Sequence, residues 1–219
     1  MIRFLCLLVG YFFGAFQTAY FYGKTHGIDI RTMGSGNAGT TNTLRVLGTK
    51  AGLIVLAGDI LKTVLAITVA RVLIIPNFVV GDKEYLYILY TAAGAILGHN
   101  FPFYMQFKGG KGIASTFGLI LSFHPLFIPV GIILFFGTFI TTHYVSLGSL
   151  LIYAGFVIQM IIMGQMGALG DISQPVLIEM YIVAFLLLVM AYWKHRENIK
   201  RLLTGTERKT YLLKKNKLN

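Results

Sequence analysis

Apolar residues run through this chain in long unbroken blocks, not in alternation. Four blocks, Met1–Tyr22, Ala51–Ile75, Val145–Met163 and Pro175–Trp193, each come near ~20 residues, the length at which a helix rising ~1.5 Å per residue spans ~30 Å of hydrocarbon. None shows the alternation that lipid-facing β-strands require. The first block begins Met1-Ile2-Arg3, as signal peptides do, but it is long for one and ends Phe21-Tyr22-Gly23-Lys24 without a small-residue cleavage pattern, so it reads as a retained helix. Shorter apolar stretches fall at Tyr85–Leu97 and Gly112–Phe136. The second contains Phe123-His124-Pro125, and the residue before a proline avoids the helical region. The stretch therefore divides into helices near Gly112–Phe123 and Leu126–Thr141.

Composition agrees with a membrane solvent. Of the 219 residues 56% are hydrophobic and only 12% charged, about half the charge that a soluble domain carries. The net charge of +11 would suggest nucleic acid in a soluble protein; here the positive-inside rule accounts for it and no nucleic-acid partner is implied. Basic residues gather at Lys24 to Lys50, Lys108 to Lys111, and from Lys194 onward, whereas the connections Pro76–Glu84 and Gly164–Gln174 carry Asp82, Glu84 and Asp171. Placing all three basic stretches on the cytosolic face requires about seven crossings, with the N-terminus outside and the C-terminus cytosolic. The expected fold is an all-α polytopic transmembrane bundle forming a single domain over residues 1–219. The lone Cys6 excludes an intrachain disulfide, and the five histidines lack partners at metal-ligand spacing.

Three polar stretches exceed what a plain bundle needs, and all three fall on the basic face. Met33 to Arg45 reads Met-Gly-Ser-Gly-Asn-Ala-Gly-Thr-Thr-Asn-Thr-Leu-Arg. Glycines let successive backbone N–H groups converge on an anion, hydroxyls add donors, and Arg45 adds a forked cation suited to phosphate. The glycines match a dinucleotide-loop spacing, but no strand precedes them, and a flexible connecting loop is the plainer alternative. Next, Gly98-His99-Asn100-Phe101-Pro102 leads to Phe107-Lys108-Gly109-Gly110-Lys111-Gly112, a glycine-lysine turn opening a short helix whose positive end suits an anion. Gly112 stands where a nucleotide-binding loop needs Ser or Thr, so Mg²⁺-nucleotide chemistry is not expected. Two lysines beside a glycine turn would also satisfy the positive-inside rule alone. The last, Lys194-His195-Arg196-Glu197-Asn198, puts His195 and Asn198 three apart on one helical face. Inside the membrane, Asp59 and Lys62 lie one turn apart and are expected to pair.

At these residues the chain resembles the bacterial acyl-phosphate:glycerol-3-phosphate acyltransferases of the PlsY type. The resemblance rests on Gly34 to Asn42, Gly98 to Gly112 and His195 to Leu202, in matching order and spacing, and covers essentially the whole chain. It implies a multi-pass enzyme of the bacterial cytoplasmic membrane with its active site facing the cytosol. That enzyme moves a fatty acyl group from acyl phosphate to the 1-hydroxyl of glycerol 3-phosphate, the first acylation of phospholipid biosynthesis. The products are lysophosphatidic acid and phosphate, and no cofactor, metal or protein partner is implied. By resemblance His195, Asn198, Ser35, Arg45 and Lys111 carry catalysis. Gly36, Asn37, Thr40, Thr41, His99, Lys108, Gly109, Gly110 and Ser146 bind substrate.

The residues themselves agree in part. No histidine is followed by aspartate after four intervening residues, as in glycerolipid acyltransferases of the other type, and with no G-x-S-x-G elbow a covalent acyl-enzyme is not expected. An acyl phosphate is already activated, and positioning plus charge stabilisation suffice. Arg45, Lys108 and Lys111 would neutralise two phosphates, with the Gly109 and Gly110 N–H groups on one of them. Ser35, Asn37 and the threonines would serve the other or the developing oxyanion. His195 is either the general base or an orienting group, with the substrate phosphate accepting the proton. A phosphate-ester transporter or channel is the alternative reading; only Asp59 and Lys62 offer it charge deep in the membrane.

Overall fold

The computed structural model describes residues 1–78 and 81–212, and every regular element among them is helical. Four helices are long and apolar enough to cross a membrane: Ile2–Thr25, Thr49–Phe78, Val145–Gln165 and Gln174–Lys194. Glu84–Asn100, of 17 residues, and the apolar Ile113–Phe123 and Phe127–Thr142 are shorter. The break expected at His124 is present: the helix stops at Phe123, and His124 is extended at φ −154°, ψ 138°, as Pro125 demands.

The first crossing is not the continuous helix that its apolar run suggests. Phe16 and Gln17 are extended (ψ 113° and 93°), which divides it into Ile2–Ala15 and Thr18–Thr25. A break in hydrocarbon frees backbone groups that something must satisfy. Here Lys62 Nζ donates to Phe16 O at 2.7 Å, and Tyr104 Oη accepts the Gln17 N–H at 3.3 Å and donates to Ala15 O at 2.9 Å.

Ile2–Ala15 and Glu84–Asn100 pack closely because each carries two glycines one turn apart. A Cβ at Gly10 would lie 1.9 Å from Thr91 O, and one at Gly14 2.0 Å from Ala95 O. Gly94 and Gly98 meet Leu7 O at 2.0 Å and Tyr11 O at 2.2 Å in the same way. Without a hydrophobic drive between helices in lipid, such backbone approach is what holds a pair together. Glu84–Asn100 is consequently buried along most of its length, and Leu86, Ile88, Leu89 and Ile96 join Phe123, Phe127 and Phe156 in the core. Large apolar side chains such as Leu65, Leu73, Ile140, Ile158 and Ile182 face outward, as lipid-facing positions do.

The polar groups sort to two ends. At one, Arg3 pairs with Glu179, which also accepts from Tyr90, Arg71 pairs with Glu84, and Asp82 accepts the Ser173 N–H. At the other lie the basic stretches, where segment 204–212 crosses back over the bundle. Thr210 N–H donates to His143 O, Thr49 Oγ1 to Leu212 O, and the His143 ring lies 4.7 Å from that of Tyr211.

Candidate active site

A cavity of about 520 Å³ opens at the basic end. Residues from all three polar stretches line it, and two helices begin at its wall. Thr40–Leu47 starts from Gly39, and Ile113–Phe123 starts from Gly112, whose φ of +80° is left-handed. The amide N–H groups of Thr41 and Asn42, and of Ile113 and Ala114, have no partner among the described residues, as first-turn donors lack an intrahelical acceptor. Thr40 Oγ1 is buried and likewise unpartnered. Two helix N-termini aimed at one space make an anion site.

The loop feeding the first helix is held by Asn42. Its Oδ1 accepts the Ser35 N–H at 2.8 Å, and its Nδ2 donates to Ile30 O and Met33 O at 3.0 Å each. Gly34, at φ +59°, leaves no room for a Cβ, which would sit 2.4 Å from Asn42 Oδ1. The Ser35 hydroxyl and the Asn37 amide remain at the mouth, beside Gly36, Thr40 and Thr41.

Charge in the cavity is strongly one-signed. Arg45, Lys111, Lys194, Arg196, Arg201 and Arg208 line it against Asp59, Glu197 and Glu207. Glu207 gathers the rest: Oε1 accepts from Ser146 Oγ at 2.9 Å and Asn198 Nδ2 at 2.7 Å, and Oε2 accepts from Arg201 Nε at 2.7 Å. Asn198 Oδ1 in turn accepts from Lys111. Burial, then the neighbouring Arg201, pushes the Lys111 ammonium down to about 8. Burial lowers Arg45 as well, with Arg208 adding to it, while Arg45 Nη2 donates to Thr210 Oγ1 at 2.7 Å. Burial, then Lys111, pushes His195 down to about 4, so its imidazole is neutral at pH 7. A carbonyl only accepts, so the 2.8 Å contact with Ala191 O puts the ring proton on Nδ1 and leaves Nε2 as an acceptor.

Most of the expected residues converge here: Ser35, Gly36, Asn37, Thr40, Thr41, Arg45, His99, Lys111, Ser146, His195 and Asn198 all line the cavity. Three do not. Lys108 is exposed and outside it. The N–H groups expected on a phosphate are already donated, Gly109 to Asn100 O at 3.2 Å and Gly110 to His99 O at 3.0 Å. These glycines serve close packing: a Cβ at Gly109 would lie 2.1 Å from His99 O, and one at Gly110 2.0 Å from His99 Nε2. His195 and Asn198 reach the same space, but not along one helix. Gln174–Lys194 ends before His195 (φ −99°, ψ 7°) and Arg196–Leu203 begins after it. Asp59 and Lys62 pair as expected, at 2.8 Å.

Apolar side chains complete the lining: Leu56, Ile113, Phe117, Phe135 and Val145. Phe135 belongs to a π turn, Ile133–Gly137, interrupting the Phe127–Thr142 helix. The cavity thus fits a phosphate-bearing molecule with an apolar chain.

The family model for glycerol-3-phosphate acyltransferase matches residues 4–205. A glycerol-3-phosphate acyltransferase of Alkaliphilus metalliredigens (strain QYMF) is 40% identical over 210 residues, covering 95% of this chain and 96% of its own. One of Mycoplasmopsis synoviae (strain 53) is 38% identical over 218 residues, covering 95% and 94%. A crystal structure of PlsY, an integral membrane glycerol 3-phosphate acyltransferase, in its glycerol 3-phosphate form superposes with a TM-score of 0.80 at 28% identity and 96% coverage of each chain. Its lysophosphatidic acid form gives 0.77.

Proposed function

This chain belongs to the glycerol-3-phosphate acyltransferase family, and we propose that its acyl donor is a fatty acyl phosphate, the acceptor being the 1-hydroxyl of sn-glycerol 3-phosphate. The products are lysophosphatidic acid and phosphate, in the first acylation of phospholipid synthesis. One observation carries this reading: two helix N-termini and six basic side chains share a cavity with apolar side chains. That arrangement suits two phosphate groups and one acyl chain. Among the described residues no group of three His, Cys, Asp or Glu side chains is placed to hold a metal ion.

In the reaction the hydroxyl oxygen attacks the acyl carbonyl carbon, the bond from that carbon to the phosphate oxygen breaks, and phosphate leaves with the electron pair. Arg45, Lys111 and the first-turn N–H groups hold the phosphates in line. His195 orients the attacking hydroxyl through its free Nε2. Burial and Lys111 hold the imidazole neutral and make it a poor proton acceptor, and we assign the hydroxyl proton to the substrate's own phosphate. Ser146 and Asn198 act through Glu207 and Lys111, holding the cations in place.

The bundle sits in the bacterial inner membrane with seven crossings, the N-terminus outside and this cavity on the cytosolic side. The gathering of the basic stretches at one end supports that placement. Purified protein given acyl phosphate and glycerol 3-phosphate should release phosphate and lysophosphatidic acid in equal amounts. Acyl-CoA at the same concentration should not replace the acyl phosphate. Efficient turnover of acyl-CoA alone would overturn the donor assignment.

A further inference from the structure

A buried polar cluster lies under the cavity where none of the phosphate contacts above requires one. Lys62 Nζ donates to Phe16 O at 2.7 Å, to Asp59 Oδ1 at 2.8 Å and to His99 Nδ1 at 2.8 Å. An ammonium has three donors and no acceptor, so these contacts use all it has. The first carbonyl is available only because the helix is broken at Phe16–Gln17. Asp59 Oδ1 also accepts from Thr18 Oγ1 at 2.9 Å, and Gln17 Nε2 donates to His99 O at 2.9 Å. The broken first helix and the helix of Asp59 and Lys62 thus hold His99 together.

The consequence is chemical. Nδ1 accepts a hydrogen bond from the Lys62 ammonium, so in the neutral ring it carries no proton of its own, and the ring proton is on Nε2. That nitrogen has no partner among the described residues. His99 is 3% exposed and lines the cavity. Nε2 stands at the seam of the two glycine-rich stretches: a Cβ at Gly110 would lie 2.0 Å from it and 2.9 Å from Ala38 O. Glycine at position 110 leaves this nitrogen uncovered by any side chain from that turn, next to Lys111.

Its position along the cavity defines what it meets. Leu56 and Asp59, one turn apart, both line the wall, so the apolar surface gives way to the polar cluster at His99. An acyl phosphate with its phosphate at Lys111 and its chain along Leu56 and Phe117 places its carbonyl at that boundary. We propose that His99 donates its Nε2–H to the acyl carbonyl oxygen, and that Lys62, held by Asp59 and Phe16 O, is the positioning residue that sets this tautomer. When the glycerol hydroxyl attacks, the carbonyl π electrons move onto that oxygen, and the hydrogen bond strengthens as the charge develops. On collapse the C=O bond re-forms, phosphate departs, and His99 keeps its proton throughout. The proposal rests on the acyl-phosphate reading above.

Gln and Asn substitutions separate donation from packing, because the amide nitrogen of Gln occupies the place of Nε2 and that of Asn the place of Nδ1. H99Q should keep kcat within about fivefold of wild type, whereas H99N and H99A should lose about 100-fold, the typical cost of one oxyanion donor. The KM for glycerol 3-phosphate should stay within about twofold in all three. Equal losses in H99Q, H99N and H99A would overturn the proposal. The second measurement needs no substrate, and its decisive reading is made on the wild type. In wild-type protein labelled with ¹⁵N-histidine, His99 should show a protonated Nε2 and a bare Nδ1, and K62M should give a mixture of tautomers. A wild-type His99 protonated at Nδ1 would overturn it as well. Failure of the wild type to use acyl phosphate would instead count against the donor assignment and leave the tautomer result standing.

Discussion

The depressed Lys111 ammonium makes a prediction that pH can test. Lys111 is half-buried among Arg201, Lys194 and Arg45, and its pKa of about 8 belongs to the unliganded enzyme. A lysine is charged below its pKa, so the cation is present at pH 7 and is lost as pH rises through 8. Because kcat/KM reports the free enzyme, it should fall about tenfold for each unit above pH 8. The fall stops where the neutral amine's residual activity takes over. Removing one charge-assisted contact costs about 1.5–3 kcal/mol, so that floor lies roughly 10- to 150-fold down. A bound phosphate dianion favours the charged lysine, so kcat should stay flat to higher pH than kcat/KM. The assay is phosphate release from pH 6 to 9.5, corrected for spontaneous hydrolysis of the donor. K111R, which stays charged, should lose the alkaline decline, and K111M should sit on the floor at every pH. A wild-type profile flat to pH 9.5, or the same decline in K111M, would refute the argument.

Two other substitutions separate binding from proton transfer, and a third experiment tests the topology. R45A removes a forked cation from the cavity and should raise KM for a phosphate substrate by roughly 10- to 150-fold with kcat little changed; a pure kcat effect would contradict this. H195Q keeps a side chain able to orient a hydroxyl but not to take its proton, so kcat within about tenfold of wild type is expected. A loss of on the order of 10³ would make His195 the base. Single cysteines at Lys108 and Lys209, in a background lacking Cys6, should react with an impermeant thiol reagent from one side, and those at Asp82 and Asp171 from the other. Labelling of positions 108 and 209 from opposite sides would disprove seven crossings.

Length and hydropathy made the four long helices legible, and the proline rule placed the break before Pro125 where it occurs. The break at Phe16–Gln17 was hidden, because no Pro marks it and the contacts that hold it are tertiary, from Lys62 and Tyr104. The glycine–lysine turn was misread for a related reason. Glycine suits both anion nests and close packing, and only the observed donation of the Gly109 and Gly110 N–H groups to Asn100 and His99 decides between them. The role of Glu207 is not legible in the sequence: an acidic residue in a basic tail gives no signal of its own, yet it is where Ser146, Asn198 and Arg201 meet. Its role has a measurable consequence. E207Q keeps the size but removes the charge, and its amide turns an N–H toward a donor, losing at least one charge-assisted hydrogen bond of about 1.5–3 kcal/mol. Lower thermal stability in detergent and a lower kcat/KM should follow, as for any buried hub. The distinguishing effect is electrostatic. Glu207 raises the pKa of Lys111, so without its charge the lysine deprotonates at lower pH, and the alkaline fall of kcat/KM should begin below pH 8. An alkaline limb that stays at the wild-type pH would mean that Glu207 holds the fold without setting the charge of the phosphate site.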